Sequence, residues 1–449
     1  MNAPVLDSIL AQVRTALEKN NLSQAAKLIE KLRPADQAEV FSELNEDEQL
    51  ALLHELPVEE SADILEELDE DEAAELVEAM HPNDAIRIVD GMEPDEAADL
   101  LGDLPPEQVS EMLAQLEDSD EVRPLLLHAD DSAGGLMTSE FLALRRRTTA
   151  AAAIQALRDW KPDRENIYYL FVVDAEQKLR GVISLRDLVI ADPDTPLEEI
   201  MDPDVIAVQA GIDQEEAARV MTRYDLLALP VIDEDGKLLG VITIDDVVDV
   251  LEDEASEDIQ RMGGSEPLDR AYLNTGILAM TGKRIGWLLM LFLTATLTGS
   301  VMRLFQDELQ TMVALSIFVP LLIGTGGNAG SQTTAIIIRA LAVGEIDWHD
   351  ALKVWWKEER TGLVLGLGMA IAAYIRAITW EPNPALALTV ATAIIGIVLW
   401  ATGIGSLLPL VAAKLKIDPT VVSGPVMSTL VDATGLFIYF SIARVMLGL

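Results

Sequence analysis

Apolar positions in the first third of the chain recur with a period of 12 residues. Leu32, Leu44, Leu56, Leu68, Met80, Met92, Leu104 and Leu116 keep this spacing, and Leu53, Leu65, Val77, Val89, Leu101 and Leu113 form a second apolar row. Turn or helix-start residues come just after the repeat position, at Pro57, Asp69, Pro82, Pro94 and Pro105. Proline suits a first helical turn and stops the helix before it. The spacing predicts units of one short helix and one tight turn, which bury their stripes only by stacking on neighbours. Residues 1–130 are therefore expected to form an all-α superhelical domain.

The pattern then changes to short apolar runs of strand type. "LFVVDAEQKLRGVISLRDLV" (Leu170–Val189) matches "LPVIDEDGKLLGVITIDDVV" (Leu229–Val248), each aligned position lying 59 residues from its twin. Each copy predicts strand, turn (Gln177–Lys178 or Asp235–Gly236), strand, and a helix opening near Asp187 or Asp246. The helical stretches Thr149–Trp160 and Gln214–Tyr224 precede them. Residues 131–250, with Met137 and Met201 near the start of the copies, resemble a pair of cystathionine-β-synthase-type (CBS) modules, an α/β fold. That resemblance implies an adenine nucleotide such as ATP between the copies, at Ser184 with Asp187 and at Thr243 with Asp246. The alternative is that Ser184 and Thr243 only end strands while the aspartates cap helices.

Val247, Val248, Val250, Leu251, Ile259 and Met262 then keep helical spacing in an acidic segment, and Gly263–Gly264 comes after them. Residues 251–270 are read as a connecting helix, placed to couple the front of the chain to its apolar back. Residues 271–449 carry long uncharged runs: Ile285–Met302, Leu309–Ile338, Thr361–Ile375, Pro382–Ala413, and Pro419–Ala443 broken only by Asp432. About 20 apolar residues cross a bilayer core, so five membrane-spanning helices are expected, with Ala271–Thr281 along the membrane surface. No basic stretch followed by an apolar one opens the chain, so no cleaved signal is expected.

Charge sharpens the division. Net charge is −28 over residues 1–130, −17 over 131–270 and +1 over 271–449, which makes up the −44 of the 449-residue chain. Phosphate is repelled and cations are attracted by such a front, so nucleic acid is disfavoured as a partner. Lys283, Arg284, Arg339, Lys353, Lys357, Arg360, Lys414 and Lys416 fall at one set of span ends, and only Arg303, Arg376 and Arg444 at the other. The positive-inside rule then puts the N-terminal domains in the cytoplasm and the C-terminus outside. The absence of cysteine removes disulfides and Cys-based zinc sites. His54, His81, His128 and His349 form no cluster with the buried acid, and no nucleophile or phosphate-loop motif appears, so an enzyme is disfavoured.

Asp432 is the most informative residue. A charged side chain at that depth costs at least ~2.5 kcal/mol, and no basic residue lies in the central part of any span. Such an acid points to a wet path or a bound cation. A protonated Asp bonded to a neighbouring helix is the bland alternative. The second span holds "PLLIGTGGNAGSQTT", in which Gly324 and Gly327 allow close approach and Asn328 and Ser331 are polar at bilayer depth. One carboxylate with several polar oxygens suits Mg²⁺, which keeps much of its water shell. A symmetric dimer would place two such acids about one axis.

"DSAGGLMT" at Asp131–Thr138, "LLIGTGGNAGSQ" at Leu321–Gln332 and "GPVMSTLVDATGL" at Gly424–Leu436, with the order of domains, resemble the MgtE family of magnesium channels. The resemblance implies a homodimer in the cytoplasmic (inner) membrane with Asp432 as the pore aspartate. It further implies that internal Mg²⁺ closes the pore by binding acids of the cytosolic part. On the connecting helix these fall on Glu254, Glu257 and Asp258, with Asp418 as their membrane-side partner. In the CBS pair they fall on Glu215, Asp225, Asp246 and Asp249, and on the superhelix on Asp63, Asp95 and Asp99. The competing reading is a secondary divalent-cation transporter, with Asp432 as a coupling-ion site and the CBS pair responding to nucleotide.

Overall fold

Stacking of the 12-residue units is what the first part of the chain does. Residues 3–160, 168–268, 272–273, 275–422 and 424–449 are described in this computed structural model. Ala271 and Asn274 of the expected surface stretch, and Asp269 and Arg270 before it, lie outside the described residues. The first long helix begins at Ile277, within that stretch. Two compact units result, Met1–Asp253 and Glu254–Leu449.

In the first unit, short helices succeed one another from Ala3–Glu18 to Ser119–Leu125. Leu32, Leu44, Leu56, Leu68, Leu104 and Leu116 are buried where each helix gives way to its turn. Pro57, Asp69 and Pro105 occupy N-cap positions, while Pro82 and Pro94 open their helices. A buried amide ties the early units together. Gln37 Nε2 donates to the Ile29 and Leu32 carbonyls and to Glu60 Oε2 at 2.8 Å. Twelve residues on, Gln49 Nε2 does the same to the Phe41 carbonyl and to Glu72 Oε1 at 2.6 Å.

Two three-stranded sheets come next, each with one parallel and one antiparallel pairing. Val172 pairs with Gly181 and Val231 with Gly240, and the register slips at the next residue in both. The duplication is thus preserved down to a bulge. The copies also exchange contacts: Thr138 bridges to Val241, and Val182 to Asp202. The last helix of the second copy, Ile244–Met262, runs on as the connecting helix.

Among the described residues, the second unit holds five helices long and apolar enough to cross a membrane: Ile277–Leu304, Ala314–Ala342, Ala351–Trp380, Pro384–Lys414 and Gly424–Leu447. The fourth is central and buries Thr389, Thr402 and Ser406, whereas the first buries no residue. Pro409 removes the donor to the Gly405 carbonyl. The hydroxyl of Thr334 in the second span donates to that carbonyl instead, at 3.3 Å. A side chain at Gly405 would strike the Gly330 carbonyl at 2.8 Å, so these two helices meet backbone to backbone. On the far side of the bundle, Arg444 pairs with the buried Glu308 at 2.5 Å and lies over Phe305.

Candidate functional site

Asp432 sits near the middle of Gly424–Leu447, half-exposed, with no hydrogen bond or ion pair to any described residue. Its surroundings arise from the packing of the second and last spans. A Cβ on Gly327 would meet Ser428 Oγ at 2.6 Å, and Ser331 Oγ donates to the Gly424 carbonyl at 3.1 Å. These two contacts fix an antiparallel register that places Asp432 level with Ile323 and Gly324. Gly324 faces open space, where an added Cβ would meet nothing within 4 Å. Asn328 is exposed one turn further along and also has no partner among the described residues. The face that includes Gly324 and Asn328 therefore offers room and oxygen atoms beside a free carboxylate. A hydrated cation needs both.

The cytosolic acids divide into those the fold gathers and those it leaves singly placed. Asp95 is 8% exposed and its Oδ1 has no hydrogen-bond partner among the described residues. Burial pushes its carboxyl well above the ordinary range, and Asp246, Glu96 and Glu93 add repulsion. Burial, with Glu70, Asp130, Asp103 and Asp246 around it, raises Asp99 to about 8. Asp246 is raised by burial although Thr243 donates to it at 2.6 Å. Asp249 and Asp63 both face Glu67, whose pKa rises through burial and then these two charges. Glu215 is held by Arg219 at 2.6 Å, and Asp225 is an exposed left-handed C-cap with φ +52°.

One member of the gathered set carries no signal as a motif. Glu96 is raised to about 9 by burial, then by Asp99, Asp246, Glu66 and Glu93. It holds the same place in the repeat as Glu60 and Glu72, each of which receives a buried Gln amide from 23 residues earlier. For Glu96 that place is Ala73. The drift from Gln37 and Gln49 to Ala73 was visible in the sequence and would have singled Glu96 out. The donor set is all oxygen, and the orphaned Asp95 Oδ1 suits a hard cation such as Mg²⁺. Even so, among the described residues no group of three or more His, Cys, Asp or Glu is drawn close enough to hold a metal ion.

Glu254, Glu257 and Asp258 are half-buried and share one face of the connecting helix with Arg261. Arg261, also missed in the sequence, pairs with Glu257 and with Asp418 Oδ2, the latter at 2.8 Å. Glu358 and Glu359 lie inside the third long helix. Glu358 accepts from Thr333 Oγ1 at 3.4 Å, and Glu359 lies against Gly403. Both acids come before Thr361, where the uncharged run of that helix begins.

The two Ser/Thr–Asp pairs of the CBS copies make the same local bond. Ser184 Oγ donates to Asp187 Oδ2 at 2.6 Å and receives the Asp187 backbone N–H at 3.1 Å, capping the helix Leu185–Ile190. Thr243 Oγ1 likewise donates to Asp246 Oδ2, at 2.6 Å, but here the second bond runs from the Thr243 backbone N–H to the same oxygen, at 3.2 Å. Their surroundings differ. Asp187 is exposed and lowered, chiefly by the Ser184 bond, whereas Asp246 faces the superhelix acids. Only the first pair is open to a polar ligand from solvent.

Known proteins share this architecture and sequence. The family MgtE, a divalent cation transporter, matches residues 319–442; the MgtE intracellular N domain matches 15–131; and CBS domains match 133–194 and 197–253. The magnesium transporter MgtE of Thermus thermophilus is 44% identical over 327 residues, 73% of this chain and 72% of that protein. The magnesium transporter MgtE of Enterococcus faecalis is 37% identical, with the same coverage. A crystal structure of the soluble part of a magnesium transporter aligns at 35% identity and TM-score 0.50, covering 56% of this chain and 99% of that one. The cytosolic domain of the Mg²⁺ channel MgtE in complex with ATP aligns at 36% identity and TM-score 0.51, covering 54% and 99%.

Proposed function

Because this chain belongs to the MgtE family of magnesium transporters, we propose that it is a Mg²⁺-selective channel for magnesium uptake, closed by Mg²⁺ on its cytosolic side. The observation that carries the reading is Asp432, a carboxylate inside a membrane-spanning helix that no described residue neutralises. An unpaired charge there is tolerated when it faces water or a cation. Mg²⁺ gives up its water reluctantly, so few protein charges suffice. The carboxylate attracts the hydrated ion, and Gly324 leaves room for its shell. In a homodimer two such acids would flank one axis. The N-terminal domains lie in the cytoplasm and the C-terminus outside, as the Lys and Arg distribution implies.

Closure rests on the gathered acids. Two like charges about 4 Å apart repel by roughly 1 kcal/mol in water and about 4 kcal/mol at an effective dielectric of 20. Asp95, Glu96, Asp99 and Asp246 pack against that repulsion, and a divalent cation between carboxylates reverses its sign. High internal Mg²⁺ draws the superhelix acids onto Asp246 and Asp249, and the connecting-helix acids onto Asp418. Low Mg²⁺ releases them, because the ion favours the state in which its ligands meet. We assign ATP to Ser184 and Asp187, the exposed pair; that a similar cytosolic domain is known in complex with ATP supports nucleotide binding.

Mg²⁺ uptake into liposomes tests the pore. Asp432→Ala is expected to abolish uptake while the protein still folds and inserts. Unchanged flux would remove Asp432 from the path. Flux that requires a proton gradient would instead favour the coupled-transporter reading.

A further inference from the structure

The end of the connecting helix carries a cation of its own. One guanidinium nitrogen of Arg261, Nη1, meets two carboxylates: Glu257, one turn back on the same helix, and Asp418 Oδ2 at 2.8 Å. Asp418 is well occupied otherwise. Its Oδ1 accepts the Thr420 backbone N–H at 2.8 Å, and Oδ2 accepts the Thr420 hydroxyl at 2.5 Å. It thereby caps the short turn Pro419–Val421 that precedes the last span, the span bearing Asp432.

The arginine is held from its own side as well. Gly264, at φ +76°, ends the helix by donating to the Arg261 carbonyl at 2.9 Å, and Ser265 donates to the Gln260 carbonyl at 3.0 Å. A Cβ at Gly264 would run into the Trp287 ring of the first span, so this left-handed corner requires glycine. Glu266 N–H then donates to the Lys283 carbonyl at 3.1 Å. A guanidinium fixed by its backbone and shared by two acids is pre-organised, and it loses little freedom on pairing.

We propose that Arg261 is a tethered counter-ion, which bridges Glu257 and Asp418 when Mg²⁺ is scarce and must be displaced before a divalent ion binds them. The guanidinium thereby sets the Mg²⁺ concentration at which this junction closes. The proposal rests on the reading that internal Mg²⁺ closes the pore. Three donors already sit on the four lone-pair positions of Asp418, and no described cluster of acids stands ready for a metal. Mg²⁺ needs open carboxylate oxygen and space for its waters. Ion and guanidinium therefore exclude each other. Two carboxylates and one guanidinium leave one negative charge, whereas Mg²⁺ leaves none, so the ion wins at sufficient concentration.

The test uses the full-length chain in lipid and two readouts: hydrogen exchange of residues 254–268 against Mg²⁺ concentration, and Mg²⁺ flux. Arg261→Gln keeps length and polarity and removes the charge; Arg261→Lys keeps the charge. Removing the competitor is expected to lower the Mg²⁺ midpoint for protecting this segment about tenfold, a usual coupling size. In Mg²⁺-free buffer, exchange of the segment should be faster in Arg261→Gln than in the unaltered chain, and Arg261→Lys should stay close to the latter. In an Asp418→Asn background, Arg261→Gln should shift the midpoint no further. An unchanged or raised midpoint in Arg261→Gln overturns the proposal, as does a shift that persists in full without Asp418. If the midpoint moves but flux ignores internal Mg²⁺ in every variant, the tethered counter-ion stands and the gate reading falls.

Discussion

Asp432 and Asp95 are both carboxylates away from bulk water without a basic partner, yet they are set up oppositely. Asp432 is solitary: the described part of the bundle offers it neither donor nor charge, and Gly324 leaves its level open. Asp95 is crowded, 8% exposed and surrounded by Asp246, Glu96 and Glu93. A single charge in an open apolar bundle is a place for an ion to pass, because binding to one ligand is weak. Several charges packed together are a place for an ion to stay, because each added carboxylate deepens the well. On the function proposed above, the same residue type would serve conduction in one region and sensing in the other, with the number of neighbouring acids deciding which.

Breaking the solitary site has the largest expected effect. Asp432→Asn keeps the volume and removes the charge, and liposome uptake of Mg²⁺ should fall roughly 100-fold with no change in thermal stability. Neutralising the junction acids comes next. The variant Glu254→Gln, Glu257→Gln, Asp258→Asn should conduct normally but need about tenfold more internal Mg²⁺ to close, read as flux against internal Mg²⁺. If closure is untouched, these acids are no part of the gate.

The crowded site can be sharpened through pH. Asp95, Glu96 and Asp99 have raised pKa values in the folded state, about 9 for Glu96 and about 8 for Asp99. The folded form therefore holds more protons than the unfolded one, so stability is lost as pH climbs from the ordinary carboxylate range through those values. In Mg²⁺-free buffer the melting temperature of the cytosolic part should fall by roughly 5 °C between pH 6 and 9. Added Mg²⁺ should flatten that slope, and Asp95→Asn with Glu96→Gln should flatten it without Mg²⁺. A steep slope in that double variant would locate the strain elsewhere. The smallest effect is expected at the exposed pair. Ser184→Ala with Asp187→Asn should weaken ATP binding about tenfold by calorimetry and leave the pH slope alone, because Asp187 lies outside the crowd.

Much of the architecture was set by local rules and was legible in the chain. A 12-residue apolar period leaves a short helix no way to hide its stripe except against its neighbour, so the superhelix is dictated from Leu32 to Leu116. A duplication with a 59-residue offset requires two like sheets, and even their bulges coincide. Long uncharged runs require five spanning helices, and Asp432 stands out in one of them because charge in lipid is costly wherever the helix packs.

Other features are relations between distant segments, and only the tertiary structure decided them. Ser184–Asp187 and Thr243–Asp246 look equivalent in sequence, but the fold exposes one and sets the other against superhelix acids. The sequence marks Glu96 only by the Ala73 that replaces a glutamine, and the fold alone buries it among Asp99, Asp246, Glu66 and Glu93. Arg261 and Asp418 are 157 residues apart, and no period or motif joins them. Burial and charge pairing depend on which surfaces meet, so a pattern along one chain can specify the elements while leaving open which charges those elements bring together.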